Sequence, residues 1–226
     1  FCTVAMTNGL PPSLVTRLEA LTGYRHIYKP YEAEYSKNPP SFLHYLVSVN
    51  GTIYNVMGRV CSCTPDYTGR SNKIAHFFVL KNQEASLLPA GPSAYKGRYM
   101  PYLTAWTEQP HLIPAERNLP AVQSFPRVAE YWASYTGDAG WAGTLAQSFL
   151  DNPRGKTVIL YDVLKHDSLL ELVDEAMMLL PVEKRWQVTY NTYFTSMPSD
   201  MICNWVFCPK SPEAMRAAGI TSKTMV

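Results

Sequence analysis

Leu43-His44-Tyr45-Leu46-Val47-Ser48-Val49-Asn50-Gly51-Thr52-Ile53-Tyr54-Asn55-Val56-Met57-Gly58-Arg59-Val60 is the stretch that decides the fold class. Two runs of strand-forming residues flank Asn50-Gly51, the dipeptide favoured in two-residue hairpin turns, where both central residues take positive φ. With that turn, Val49 faces Thr52, Val47 faces Tyr54 and Tyr45 faces Val56. These pairs share one face and are apolar or β-branched, so register and burial agree. His44 points to the other face, opposite Met57. A loop from Cys63 to Gly69 leads to a third strand, Ile74 to Leu80.

Upstream, Pro11-Pro12-Ser13 opens a helix with Leu14, Leu18 and Leu21 on one side and Gly23 as its stop. Phe1 to Ala5 reads as a strand entered midway, and no signal peptide is visible. Downstream, residues Asn82 to Pro126 are proline-rich and without a clear period, with short strand pairs expected near Tyr99 to Trp106. Helices are expected from Phe125 to Tyr135, around Trp141, Leu145 and Phe149, from Asp167 to Leu180, and from Ser211 to Ala218. In the Asp167 helix, Leu169, Leu172, Val173, Ala176, Met177 and Leu180 form one apolar stripe, Asp167 serves as cap, and Asp174-Glu175 fall on a solvated face. Thr157 to Tyr161 is a short buried strand. Trp186 to Thr195 alternates and is expected to pair with Met201 to Phe207 across a turn at residues 196–200. The expected class is α+β: mainly antiparallel sheet with helices packed on it and an irregular proline-rich middle. A β-rich part over 1–126 and an α+β part over 127–226 form one compact unit or two closely packed subdomains.

The 226 residues are 46% hydrophobic and 17% charged, with a formal charge of +2. That composition supports a real core and lacks the basic excess of a chain that binds nucleic acid by neutralising phosphates. No apolar run is long enough to cross a bilayer. The five cysteines, Cys2, Cys61, Cys63, Cys203 and Cys208, make a poor disulfide framework and read as reduced thiols of a cytoplasmic protein. Zinc held by Cys61, Cys63, Cys203 and Cys208 is a minor alternative because the spacings are unusual. No metal or cofactor is expected.

Gly155-Lys156-Thr157 fails as a phosphate loop. Leu150 stands where the first glycine belongs, and the segment precedes a strand instead of following one. Gly137, Gly140 and Gly143 are read as a tight helix–helix corner, with Trp141 buried and Asp138 capping the second helix. No complete catalytic constellation is present. The rival is a thiol-dependent hydrolase pairing Cys61 or Cys63 with His76, although His76, on an apolar strand, reads as a hydrogen-bonded structural histidine. The densest polar segment is Gly69-Arg70-Ser71-Asn72-Lys73-Ile74-Ala75-His76. Arg70, Ser71, Asn72 and His76 could bind an anion or a partner backbone, or satisfy the loop's own amides. Asp138 and Trp141, with Arg185, Asn191 and Tyr193, complete the candidate binding residues, because aromatic and Arg side chains dominate protein contact surfaces.

Several stretches together resemble the N-terminal domain, second type, of bacterial GTPase-associated proteins, components of multi-gene, nucleotide-dependent conflict systems. They are Phe1-Cys2-Thr3-Val4-Ala5 with Gly9-Leu10-Pro11, and Leu18-Glu19 through Gly23-Tyr24-Arg25-His26. Tyr67-Thr68-Gly69-Arg70 through His76, Thr136-Gly137-Asp138-Ala139-Gly140-Trp141-Ala142-Gly143, and Leu179-Leu180-Pro181 with Arg185-Trp186 to Thr195 complete the set. The resemblance runs over most of the chain and brings no catalytic residues with it. It implies an adaptor or sensor that works beside a GTPase of the same system. With no complete catalytic constellation and an aromatic-rich, nearly neutral composition, the expected role is a non-enzymatic module that docks that GTPase or another protein of the system, with neither nucleic acid nor membrane as partner.

Overall fold

The computed structural model describes residues 3–66, 68–95, 101–113, 119, 122, 128–165 and 167–220. Strand β1 (Ala5–Thr7) precedes helix α1 (Pro12–Ala20), and then come the long strands β2 (Ser41–Val49), β3 (Thr52–Cys63) and β4 (Asn72–Lys81). The hairpin register is the one its turn dictates: Val49 opposes Thr52, Val47 Tyr54, Tyr45 Val56 and His44 Met57. Asn50 and Gly51 take φ of 50° and 77°, the left-handed pair that matches the twist of the flanking strands. Both faces of the hairpin are covered. Leu43, Tyr45, Val47 and Val49 join Leu14, Leu18 and Leu21 of the α1 region in one core, while Met57 joins Ala85, Ala90, Tyr95 and Trp186 in another.

The proline-rich connection contributes a one-turn helix α2 (Asn82–Ala85) and a 3₁₀ turn at Pro92–Ala94. Residues 101–106 are irregular where strand pairs were expected; Tyr99 and Met100 lie outside the described residues. Among the described residues of this connection the strand is instead β5 (His111–Ile113), which pairs in parallel with β1. Helices α3 (Glu130–Thr136) and α4 (Gly140–Asp151) meet at Gly137, whose φ of 83° makes the corner. Residues 125–127 of the expected longer helix lie outside the described residues.

Strand β6 (Thr157–Tyr161) leads through α5 (Leu169–Met178) and α6 (Val182–Arg185) to β7 (Tyr190–Asn191), and β8 (Trp205–Pro209) precedes α7 (Pro212–Ala217). Six strands form one sheet in the order β4-β3-β2-β7-β8-β6. The sheet is antiparallel from β4 to β7 and parallel among β7, β8 and β6. The expected hairpin of Trp186–Thr195 with Met201–Phe207 is therefore corrected to a crossover. Two side chains explain it. Asn191 Oδ1 accepts the N–H of Tyr193 at 2.9 Å and turns the chain out of the strand after two residues. The buried Asn204 side chain, accepting from Thr189 N–H and Oγ1 and donating to the carbonyls of Pro153 and Gly155, fixes the return beside β7 in parallel.

The stripe expected on α5 is buried as a block, packed with Trp205 and Phe207 of β8 and with Leu145 and Phe149 of α4. The helix starts two residues after Asp167, at a Ser168 cap without a side-chain hydrogen bond. Its other face is not solvated. Glu175, 3% exposed, accepts the first-turn N–H groups of α3 at Tyr131 and Trp132 (3.0 and 3.1 Å), and Asp174 accepts from Ser93 Oγ at 2.8 Å. The reason is position: α5 sits between α3, α4, the sheet and the Pro92–Ala94 turn. Helices thus cover both sheet faces, α1 and α7 on one and α3 to α5 on the other. No helix among the described residues is long and apolar enough to cross a membrane.

Candidate functional site

The β3–β4 connection carries the densest polar segment, and one carboxylate orders it. Asp66 Oδ1 accepts the N–H of Thr68 (2.8 Å), the hydroxyl of Thr68 (2.6 Å) and the N–H of Arg70 (3.0 Å), while Asp66 N–H donates to the Arg70 carbonyl. These donors hold the Asp66 carboxyl below the usual carboxylate range. Gly69, at φ 77°, closes the turn. Arg70, Ser71 and Asn72 are exposed on this preformed tip. The Asn72 carbonyl accepts from His26 Nε2 at 3.0 Å, and the Asn72 side chain accepts the N–H of Lys73. The loop's own amides are thus satisfied largely by Asp66 and Asn72, while the Arg70 and Ser71 side chains are exposed to solvent.

His76 stands apart from the tip. It is half-buried, its Nδ1 accepts the Leu103 N–H at 2.9 Å, and its ring contacts Phe78 and Tyr102. The four described thiols are buried or half-buried. Arg59 donates to Cys61 Sγ at 3.0 Å, but burial outweighs that cation and pushes the Cys61 thiol up, as it does Cys63. Cys203 and Cys208 are buried and free, raised by desolvation to about 12 and about 11. Among the described residues no three His, Cys, Asp or Glu are grouped to hold a metal ion.

At the α3–α4 corner the N-cap of α4 is Ala139, not the expected Asp138; Asp138, one position earlier, accepts the N–H of Gly140 at 2.8 Å in a local turn. Trp141, expected to be buried, is 51% exposed: it stands in the first turn of α4, at the edge of the stripe that Ala142, Leu145, Ala146 and Phe149 bury. Arg185, Asn191 and Tyr193 are corrected the other way, from surface to interior. Arg185 donates to the carbonyls of Met178, Leu180 and Pro89, capping the carbonyl end of α5, where a cation is favoured. Asn191 accepts from Ser41 Oγ and donates to Tyr45 Oη, and Tyr193 Oη donates to the Arg25 carbonyl.

A cleft of about 1150 Å³, which sequence spacing did not reveal, opens where the parallel strands end. Asp162 and Val163 follow β6, Lys210 and Ser211 follow β8, and Tyr193, Thr195 and Ser196 follow β7. In open sheets with parallel strands the crevice beyond the carboxyl ends is the usual ligand site. The opposite wall is Tyr24, Arg25, His26 and Ile27 with Lys73, which joins the cleft to the hairpin tip. Lys73 Nζ donates to the Thr22 carbonyl at 2.7 Å, and desolvation lowers its pKa. Partial burial, with Lys73 and Lys29 nearby, lowers His26 as well.

Two family models match the chain. Residues 1–132 match GTPase-associated protein 1, N-terminal domain type 2, and residues 129–224 match GTPase-associated protein 1, middle domain. Comparison with curated proteins and with solved structures gives no match. The hairpin tip and one cleft wall come from the first matched stretch and the rest of the cleft from the second. With more than half its length in the first model, the chain belongs to the GTPase-associated protein 1 family and carries its N-terminal domain of type 2.

Proposed function

We propose that this chain is a non-enzymatic docking module that binds a protein partner, a GTPase of the same conflict system, through the Arg70–Asn72 tip. Family membership supports the GTPase as partner. The observation that carries the docking role is the tip itself. Asp66 pre-orders it, so that Arg70 and Ser71 are presented with little ordering cost left for binding. Trp141, 51% exposed, is a second contact residue of hot-spot type. The free thiols support a cytoplasmic setting.

The test is a pull-down of the system's GTPase by the intact chain, in GDP and GTP-analogue states. Capture in at least one state is expected, with at least a tenfold loss for Arg70→Glu and no change in unfolding midpoint. Recovery of nothing in either state refutes the reading, and so does capture insensitive to both Arg70→Glu and Trp141→Ala.

A further inference from the structure

The cleft beyond β6, β7 and β8 has no part in the docking role, and its chemistry is that of a small-molecule site. Four cationic side chains, Arg25, Lys73, Lys210 and Arg216, line it against two carboxylates, Asp162 and Glu213. Arg25 and Glu213 are paired with each other across it. The excess of two positive charges matches a phosphate monoester, which carries about −1.5 to −2 at neutral pH, better than a single carboxylate. The remaining wall includes Ile27 and the half-buried Tyr24, whose hydroxyl is occupied on the Pro39 carbonyl, which leaves its ring as surface. A volume of about 1150 Å³ is far more than an inorganic ion fills and suits an organic ligand.

We infer that this cleft binds a small organic phosphate monoester, its phosphate among the cationic side chains and its organic body against Tyr24 and Ile27.

The experiment is calorimetric titration of the full chain with inorganic phosphate, phenyl phosphate, a nucleoside 5′-monophosphate, the free nucleoside, and a phosphoserine peptide with its unphosphorylated form. At least one of the two small aryl or nucleoside monoesters is expected to bind ten times tighter or more than inorganic phosphate and than the free nucleoside, with affinity falling as salt rises. Lys210→Glu with Arg216→Glu removes that binding at an unchanged unfolding midpoint. Monoesters no tighter than inorganic phosphate overturn the inference. So does binding that survives the double charge reversal, and so does preference for the phosphopeptide, which would make the cleft a peptide site. Because Arg70 lies outside the cleft, loss of GTPase capture and loss of monoester binding are read separately.

Discussion

His44 shows how one side chain ties the chain's pH response to its core. The ring is fully buried between Val188, whose carbonyl accepts the Nδ1 proton at 2.7 Å, and the Asn55 side-chain amide, 3.0 Å from Nε2. Desolvation dominates and pulls its pKa down to about 4, against about 6.5 for a free imidazole. The unfolded chain therefore takes up a proton before the folded one does. Stability is full above pH 6.5, falls by about 3 kcal/mol as pH drops toward 4, and levels off below. Urea denaturation at pH 7.0, 5.5 and 4.5 should show that fall, and His44→Gln should flatten it; a wild-type midpoint constant across this window disproves the assignment. The thiols give a second residue-scale expectation. Since burial raises Cys61, Cys63, Cys203 and Cys208, iodoacetamide at pH 7.5 should modify none of them rapidly before unfolding. Fast, selective labelling of Cys61 or Cys63 would revive the hydrolase that pairs it with His76.

Elements whose partners lie next to them in sequence were legible; those fixed from afar were not. The β2–β3 hairpin is encoded by Asn50-Gly51 and by alternation, both local, and its register follows to the residue. The β7–β8 pairing depends on Asn191 and Asn204, polar side chains whose hydrogen bonds reach across the fold and leave no periodic trace. Alternation from Trp186 to Thr195 thus suggested a long strand where two residues suffice. Helix α5 misled differently: amphipathicity assumes that one face meets water, whereas here Asp174 and Glu175 meet other elements. Glu175 is the N-terminal cap of α3 supplied from another helix, stabilising two first-turn donors and the positive end of the dipole. Glu175→Ala leaves both buried N–H groups unpartnered and should cost about 2–4 kcal/mol in urea unfolding. Glu175→Gln, which keeps an acceptor but loses the charge, should cost about half as much. Equal unfolding midpoints for wild type and Glu175→Ala would mean that water replaces the carboxylate and that α3 does not depend on it.

At the scale of the molecule, the cleft escaped the sequence because its walls come from residues 23–27, 73, 162–163, 193–196 and 209–217, which no motif spacing links. The same interleaving decides how the protein unfolds. Strand β2 lies between β3 and β7, with Leu43 opposite Asn191 and His44 opposite Tyr190. One core unites Leu14, Leu43, Tyr45 and Val56 with Phe194, Val206, Cys208 and Ala218. Separating the two halves would strip β2 of its neighbour, expose its unpaired backbone edge and open that core to water, a loss of apolar burial that small cores do not survive. We therefore expect residues 1–126 and 127–226 to behave as one cooperative unit despite the two family models they match. Far-UV and near-UV circular dichroism of the intact chain in urea should give coincident single transitions. Fragment 1–126 expressed alone should lack a cooperative transition and regain one on mixing with 127–226. A sharp transition and native near-UV signal from 1–126 by itself would show that β2 needs no partner from the second half, and that the continuous sheet joins two independently stable domains.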